Sequence, residues 1–149
     1  MPAATGTYRA WGPYARDILK GSIAVEQASR FKAILTTSAF TPNFDNDQRL
    51  SDVTGETFEG DWPTGGLVLT NVAVSLITAS DELALIHDAI TADEVTLPAA
   101  AARLIIYDDT GATSADKRLA FSAAISPTLL PVAGPIHISS PNGIVRSGY

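Results

Sequence analysis

Apolar positions along this chain fall in short runs, many of them β-branched, and the runs are separated by clusters of Gly, Pro, Asn and Asp. That pattern predicts strands joined by turns rather than amphipathic helices. Phe31 to Thr36 reads as a buried strand, and Leu67 to Thr70 and Val72 to Ile77 as further strand runs parted by Asn71. Leu83 to His87 follows the turn at Asp81-Glu82, which predicts a hairpin over residues 72–87. Ile90 to Thr91 and Val95 to Leu97 flank the acids Asp93-Glu94 and read as one shorter strand. Ala99 to Ala102 has helix propensity, but Pro98 before it and Leu104 to Tyr107 immediately after it argue against a helix there. Residues 103–125 form a second expected hairpin, with Asp108-Asp109-Thr110-Gly111 opening a long connection. Pro127, Pro131 and Pro135 demote Ser126 to Gly134 to irregular or edge structure. Ile136 to Ser139, a turn at Pro141-Asn142-Gly143, and Ile144 to Arg146 complete the pattern.

One helix is expected. Pro13 to Lys20 carries Tyr14, Ile18 and Leu19 on roughly one side, with Pro in its first turn and Gly21 as a stop. Ahead of it, residues 1–12 read as an extended arm with aromatic anchors at Tyr8 and Trp11. Trp11 either tucks onto its own domain or lies across a neighbouring subunit. The fold class expected is all-β: a single β-sandwich over 13–149 of about seven to nine short strands, preceded by that arm.

The strands are interrupted once by a long excursion. Thr41, Pro42, Asn43, Asp45, Asn46 and Asp47 take the chain out of the sheet, and Gly65-Gly66 bring it back. A connection of roughly thirty residues is far above the usual length, and such loops are usually functional or disordered. Trp62 stands near the end of this loop, and Phe40 and Phe44 near its start. These aromatics either pin the loop to the domain or offer a platform for a partner or a sugar.

Composition narrows the function classes. Of 149 residues, 46% are hydrophobic and 17% charged, a globular balance that leaves room for a partner-covered surface. The formal net charge of -6 argues against a nucleic-acid-binding face. Without cysteine there are no disulfide staples and no thiolate sites. The first residues lack a basic segment followed by an apolar core, so a secretory signal is not expected, nor is a membrane-spanning helix.

Candidate chemistry is sparse. His87 and His137 are the two histidines, each in an expected strand far from a second good ligand, and no zinc site is predicted. The serine-hydrolase elbow, the P-loop and the dinucleotide glycine fingerprint are all missing from the sequence. Asp45, Asp47, Asp52, Glu56, Glu59 and Asp61 cluster in the long loop. Their spacing does not match an EF-hand, and solvated loop acids are the simpler reading against a calcium site or a glycosidase carboxylate pair. No cofactor and no catalytic residue is expected, and the candidate partner-binding residues are Tyr8, Trp11, Phe44 and Trp62.

A series of segments carries a resemblance. Lys32 to Asn43, then Asp45, then Leu50-Ser51-Asp52-Val53 with Glu56, then Gly65-Gly66 before a strand, resembles the small virion structural proteins of tailed bacteriophages. Arg103 to Gly111, the helix ending Ile18 to Gly21, and Asn142-Gly143-Ile144 extend it over much of the chain. The resemblance implies a non-enzymatic particle component made in the host cytoplasm and present in many copies on the virion. A capsid decoration or cement protein on the outer head surface is the first expectation. Its partners would be the major capsid protein and copies of itself, a trimer included, with no nucleic acid and no membrane. The alternatives are a neck, tail or fibre component contacting the host surface, or a carbohydrate-binding β-sandwich.

Overall fold

A computed structural model describes residues 9–23, 26, 30–77, 82–138 and 146–148. In chain order the elements are β1 (Arg9–Ala10), α1 (Gly12–Leu19), β2 (Phe31–Thr36), β3 (Leu67–Val68), β4 (Ala73–Ile77) and β5 (Glu82–Ile86). They continue with β6 (Ile90–Val95), β7 (Ala101–Asp108), β8 (Arg118–Leu129), β9 (Gly134–Ile138) and β10 (Arg146–Gly148). The fold is all-β and every strand pair is antiparallel. Three sheets form, in the orders β1-β8-β7-β2-β3, β10-β5-β4 and β6-β9. The ten strands among the described residues exceed the expected count by β1, two residues of the stretch read as an arm.

β2 and β7 lie at the centre of the five-stranded sheet, and their composition follows from that position. A strand buried on both faces has no solvent side to mark with polar residues, so it reads as a continuous apolar run. Ala33 pairs with Ile106, Ile34 with Ile105 and Leu35 with Leu104. Alternate residues then serve opposite faces. Phe31, Ala33, Leu35, Leu104 and Ile106 enter one hydrophobic cluster, whereas Ile34, Ile105 and Tyr107 enter another. The first cluster is closed by the β6–β9 ribbon through Ile90, Val95, Ile136 and Ile138, together with Trp62 and Tyr14.

α1 begins at Gly12, one residue before the expected Pro13, and ends in a tight cap. Gly21 takes φ +74. Its N–H donates to the carbonyl of Ile18, and that of Ser22 to Asp17, so the last carbonyls of the helix find partners. Tyr14 meets Phe31 and Phe121 edge-on, with ring centroids 6.2 and 5.9 Å apart. Its hydroxyl donates to Asp108 Oδ2 at 2.7 Å, and Arg30 Nη2 reaches the same oxygen at 2.7 Å. Burial, reinforced by that carboxylate, pushes the Tyr14 phenol well above its ordinary range. Arg118, 2.7 Å from Asp17, ties the helix to the start of β8.

Several expectations change. Residues 9–12 are not a free arm: β1 pairs with Ser122 and Phe121 of β8, and the Trp11 N–H donates to the Ala120 carbonyl. The domain therefore begins by residue 9, and the remainder of the expected arm lies outside the described residues. β8 does not stop before Pro127 but runs to Leu129. Ala101 pairs with Leu129 while Arg103 pairs with Ala124, so a bulge on β8 takes up Pro127, which has no N–H to donate to a ladder. Two readings hold: β6 spans Asp93-Glu94 as one strand, with a register shift between Ala92 and Val95, and Asn71, at φ 51, parts β3 from β4. The expected turn at Pro141-Asn142-Gly143 and the start of the expected last strand at Ile144 lie outside the described residues; the last described strand is β10, which contains Arg146.

Candidate functional site

The segment from Thr37 to Val53 is laid against the second face of the five-stranded sheet, and the loop then runs back past β2 to end with Trp62 on the first. Trp11, Ile34, Phe40, Ile105, Tyr107 and Leu119 form the cluster on the second face, with Phe44, Leu50 and Val53 packed onto it. A coil that covers a core must find partners for its backbone, because a buried unpaired amide is costly. Its edges run beside β2: the Thr57 N–H donates to the Leu35 carbonyl and the Thr37 N–H to Gly55. Its middle runs beside the start of β8: the Leu50 N–H donates to the Lys117 carbonyl, the Leu119 N–H to Gln48, and the Ser51 N–H to Ser114.

The loop acids complete this fastening one at a time. Asp47 accepts the Asn43 N–H at 2.6 Å, and Asp61 accepts the Glu94 N–H at 3.0 Å. Asp52 accepts the N–H groups of Gln48 and Arg49, both at 2.9 Å, which hold its carboxyl below the usual carboxylate range. Glu56 Oε1 accepts the Gly65 N–H at 2.8 Å. Among the described residues no group of three or more His, Cys, Asp or Glu converges as a metal site.

Gly66 is where the loop rejoins the sheet, and no other residue fits. Its φ is +79, and a Cβ there would lie 1.8 Å from the Ala33 carbonyl oxygen. The Tyr107 hydroxyl fixes the same corner by donating to the Gly65 carbonyl at 2.7 Å. Burial first, then the charges of Asp109 and Glu56, raise the Tyr107 phenol, so it stays a donor. Beside it Asp109 bridges Lys117 at 2.7 Å and Lys32 at 3.1 Å. Burial alone would raise the Asp109 carboxyl, but the two ammonium groups outweigh it and hold the acid ionised.

A cavity of about 350 Å³ opens between loop and sheet. Ile34, Leu50 and Val53 give it apolar walls, Ser51, Thr64 and Ser114 are exposed hydroxyl residues along it, and Glu56 and Gly65 complete the lining. These residues come from β2, the loop and the β7–β8 connection. Glu56 was among the loop acids legible in the sequence; Ile34 and Ser114 carried no local signal.

The expected partner-binding aromatics are distributed otherwise. Trp11 and Phe44 are brought together, with ring centroids 5.0 Å apart and the Arg9 guanidinium 4.1 Å above Phe44. Trp11 has no exposed surface and Phe44 is only part-exposed, so the pair belongs to the loop's own anchorage. Trp62, also with no exposed surface, lies in the first-face cluster and pins the loop's end. As aromatic contacts for a partner, Trp11 and Trp62 are corrected to core residues; Tyr8 lies outside the described residues. Among the described residues no helix is long and apolar enough to cross a membrane. Comparison with known proteins returned no matching family model, no matching curated protein and no matching solved structure.

Proposed function

We propose that this chain is a structural component of a tailed-phage virion, a non-enzymatic capsid decoration protein that binds the outer head surface and bridges neighbouring capsid subunits. The observation that carries the reading is the convergence of the segments on which the resemblance rests. Lys32 to Asn43, Glu56, Gly65-Gly66 and Tyr107 are joined by the Thr36–Glu56 bridge and by the ties among Glu56, Gly65 and Tyr107, and Leu50 and Val53 pack with Ile34 on the same face; Ile18 to Gly21 closes the helix instead. A series of weak motifs that assembles into one face is better support for a shared role than the same motifs scattered. We read the domain as a β-sandwich in which the five-stranded sheet is one layer and the β6–β9 ribbon belongs to the other, supported by the core they share. The loop face is then a contact surface for the major capsid protein. The glycan-platform alternative loses its main support with Trp62 buried.

Quantitative stoichiometry on purified particles, before and after chemical removal of tails, tests the proposal. Hundreds of copies retained by the heads are expected. Loss of the protein with the tails, or its absence from particles, refutes it.

A further inference from the structure

The cavity beside Glu56 combines three properties that together specify an occupant. Its size, about 350 Å³, lies at the low end of ligand pockets, enough for one side chain or a small ligand. Its walls are fixed in advance: Ser51 is tied to Ser114, Leu50 to Lys117, Gly65 to Glu56, and Tyr107 to Gly65. Its charge is a single carboxylate with no ion pair among the described residues, whereas Asp108 has one and Asp17 and Asp109 have two each. One Glu56 oxygen takes the Gly65 N–H, leaving the other for an external donor.

We propose that this cavity receives an arginine side chain from a protein partner. Its aliphatic stem would lie along Leu50 and Val53, which stay part-exposed, as long cationic side chains do on apolar surface. The guanidinium would meet the Glu56 carboxylate and the hydroxyls of Ser51, Thr64 and Ser114. A planar head with five donors matches one carboxylate plus several hydroxyl acceptors better than a strongly hydrated ammonium does. An anionic occupant is disfavoured, since Glu56 lines the cavity and the chain carries a net charge of -6. The inference deepens the virion reading: the arginine would belong to the capsid subunit, and the cavity would be where the loop face grips it.

The test uses the full chain, isotope-labelled, titrated with Nα-acetyl-arginine N-methylamide and with its neutral isostere, the citrulline derivative. Saturable amide shifts centred on Ser51, Glu56, Thr64, Gly65 and Ser114 are expected for the arginine probe, with affinity about tenfold or more above that for citrulline. Glu56→Gln keeps an acceptor for the Gly65 N–H while removing the charge, so it should stay folded and bind the arginine probe about tenfold more weakly. Equal affinity for the two probes, or no shift at these residues with probe on the order of 50 mM, overturns the proposal. Particle binding separates it from the reading beneath it. A chain absent from particles refutes the virion role and leaves the titration to judge the cavity. Particles that take up Glu56→Gln as fully as the wild-type protein sink the arginine contact alone.

Discussion

Replacing Trp11 by alanine tests whether the chain's first described residues belong to its core. Trp11 has no exposed surface, stacks on Phe44 at 5.0 Å, and donates its backbone N–H to Ala120. Emptying a buried tryptophan site costs about 3–5 kcal/mol, and the Phe44 ring also loses its aromatic partner. For a domain of this size each kcal/mol lowers the melting temperature by about 2–4 °C, so a drop of about 6–20 °C is expected. Calorimetry or circular dichroism melts, after a check that unfolding is reversible and two-state, would measure it. Leu19→Ala and Val132→Ala are the controls, because those side chains are 84% and 76% exposed and should change stability by about 0.5 kcal/mol at most. A Trp11→Ala protein melting within about 2 °C of wild type would refute the burial. The same reasoning bears on truncation. Deleting residues 1–12 removes β1 and Trp11, so a truncated chain that fails to attach to particles reports a damaged domain and not a missing arm.

Gly66→Ala and Gly21→Ala form a matched pair: both glycines have positive φ, but a Cβ at Gly21 meets nothing within 4 Å. Gly21→Ala should cost about 1–2 kcal/mol and Gly66→Ala clearly more, since the Ala33 carbonyl must move; equal urea midpoints would contradict that close approach. Asp108→Asn removes the charge facing Arg30 at a site where Asp108 is 2% exposed, and should cost about 3–5 kcal/mol by urea unfolding; a loss under about 1 kcal/mol would refute the buried pair. Asp109 has a folded pKa below its unfolded one, so its contribution is full above the unfolded value near about 4 and is lost as pH falls through the folded value. Urea midpoints from about pH 5 down to about pH 2 should therefore fall less steeply for Asp109→Asn than for wild type, and parallel curves would refute the linkage.

The parts of the fold legible in the sequence were those set by local pattern. Phe31 to Thr36 and Leu104 to Tyr107 are buried on both faces, so their apolar runs could hardly be read otherwise. Gly21 marked the end of its helix because only the left-handed conformation closes that cap without strain. What failed depended on contacts distant in sequence. A tryptophan in a Gly- and Pro-containing stretch looks like an anchor on an arm; only the meeting of Trp11 with Phe44 and β8 makes it core. Pro127 did disturb pairing as expected, but β8 absorbs it in a bulge and continues. The cavity drew on residues from Ile34 to Ser114, and no periodicity announces such a set; the nearest signal was Gly65-Gly66, where the backbone had to come close to something.

The acidity of the long loop follows from the same geometry. A second strand layer over Ile34, Ile105 and Tyr107 would have satisfied its own backbone through ladders, whereas an irregular cover leaves N–H groups that need acceptors. Carboxylates are the strongest acceptors a side chain offers; Asp47, Asp52 and Glu56 each take a backbone N–H of the loop, and Asp61 takes that of Glu94 in β6. The cluster that looked like an ion site is thus largely the means by which a coil serves as a wall. That wall is tied down by its own hydrogen bonds, so the proposed binding through it would cost little conformational freedom. Glu56 is the residue on which the proposed contact rests: it secures Gly65 with one oxygen and lines an open cavity, so the residue that closes the loop is also the one that would meet a partner's arginine.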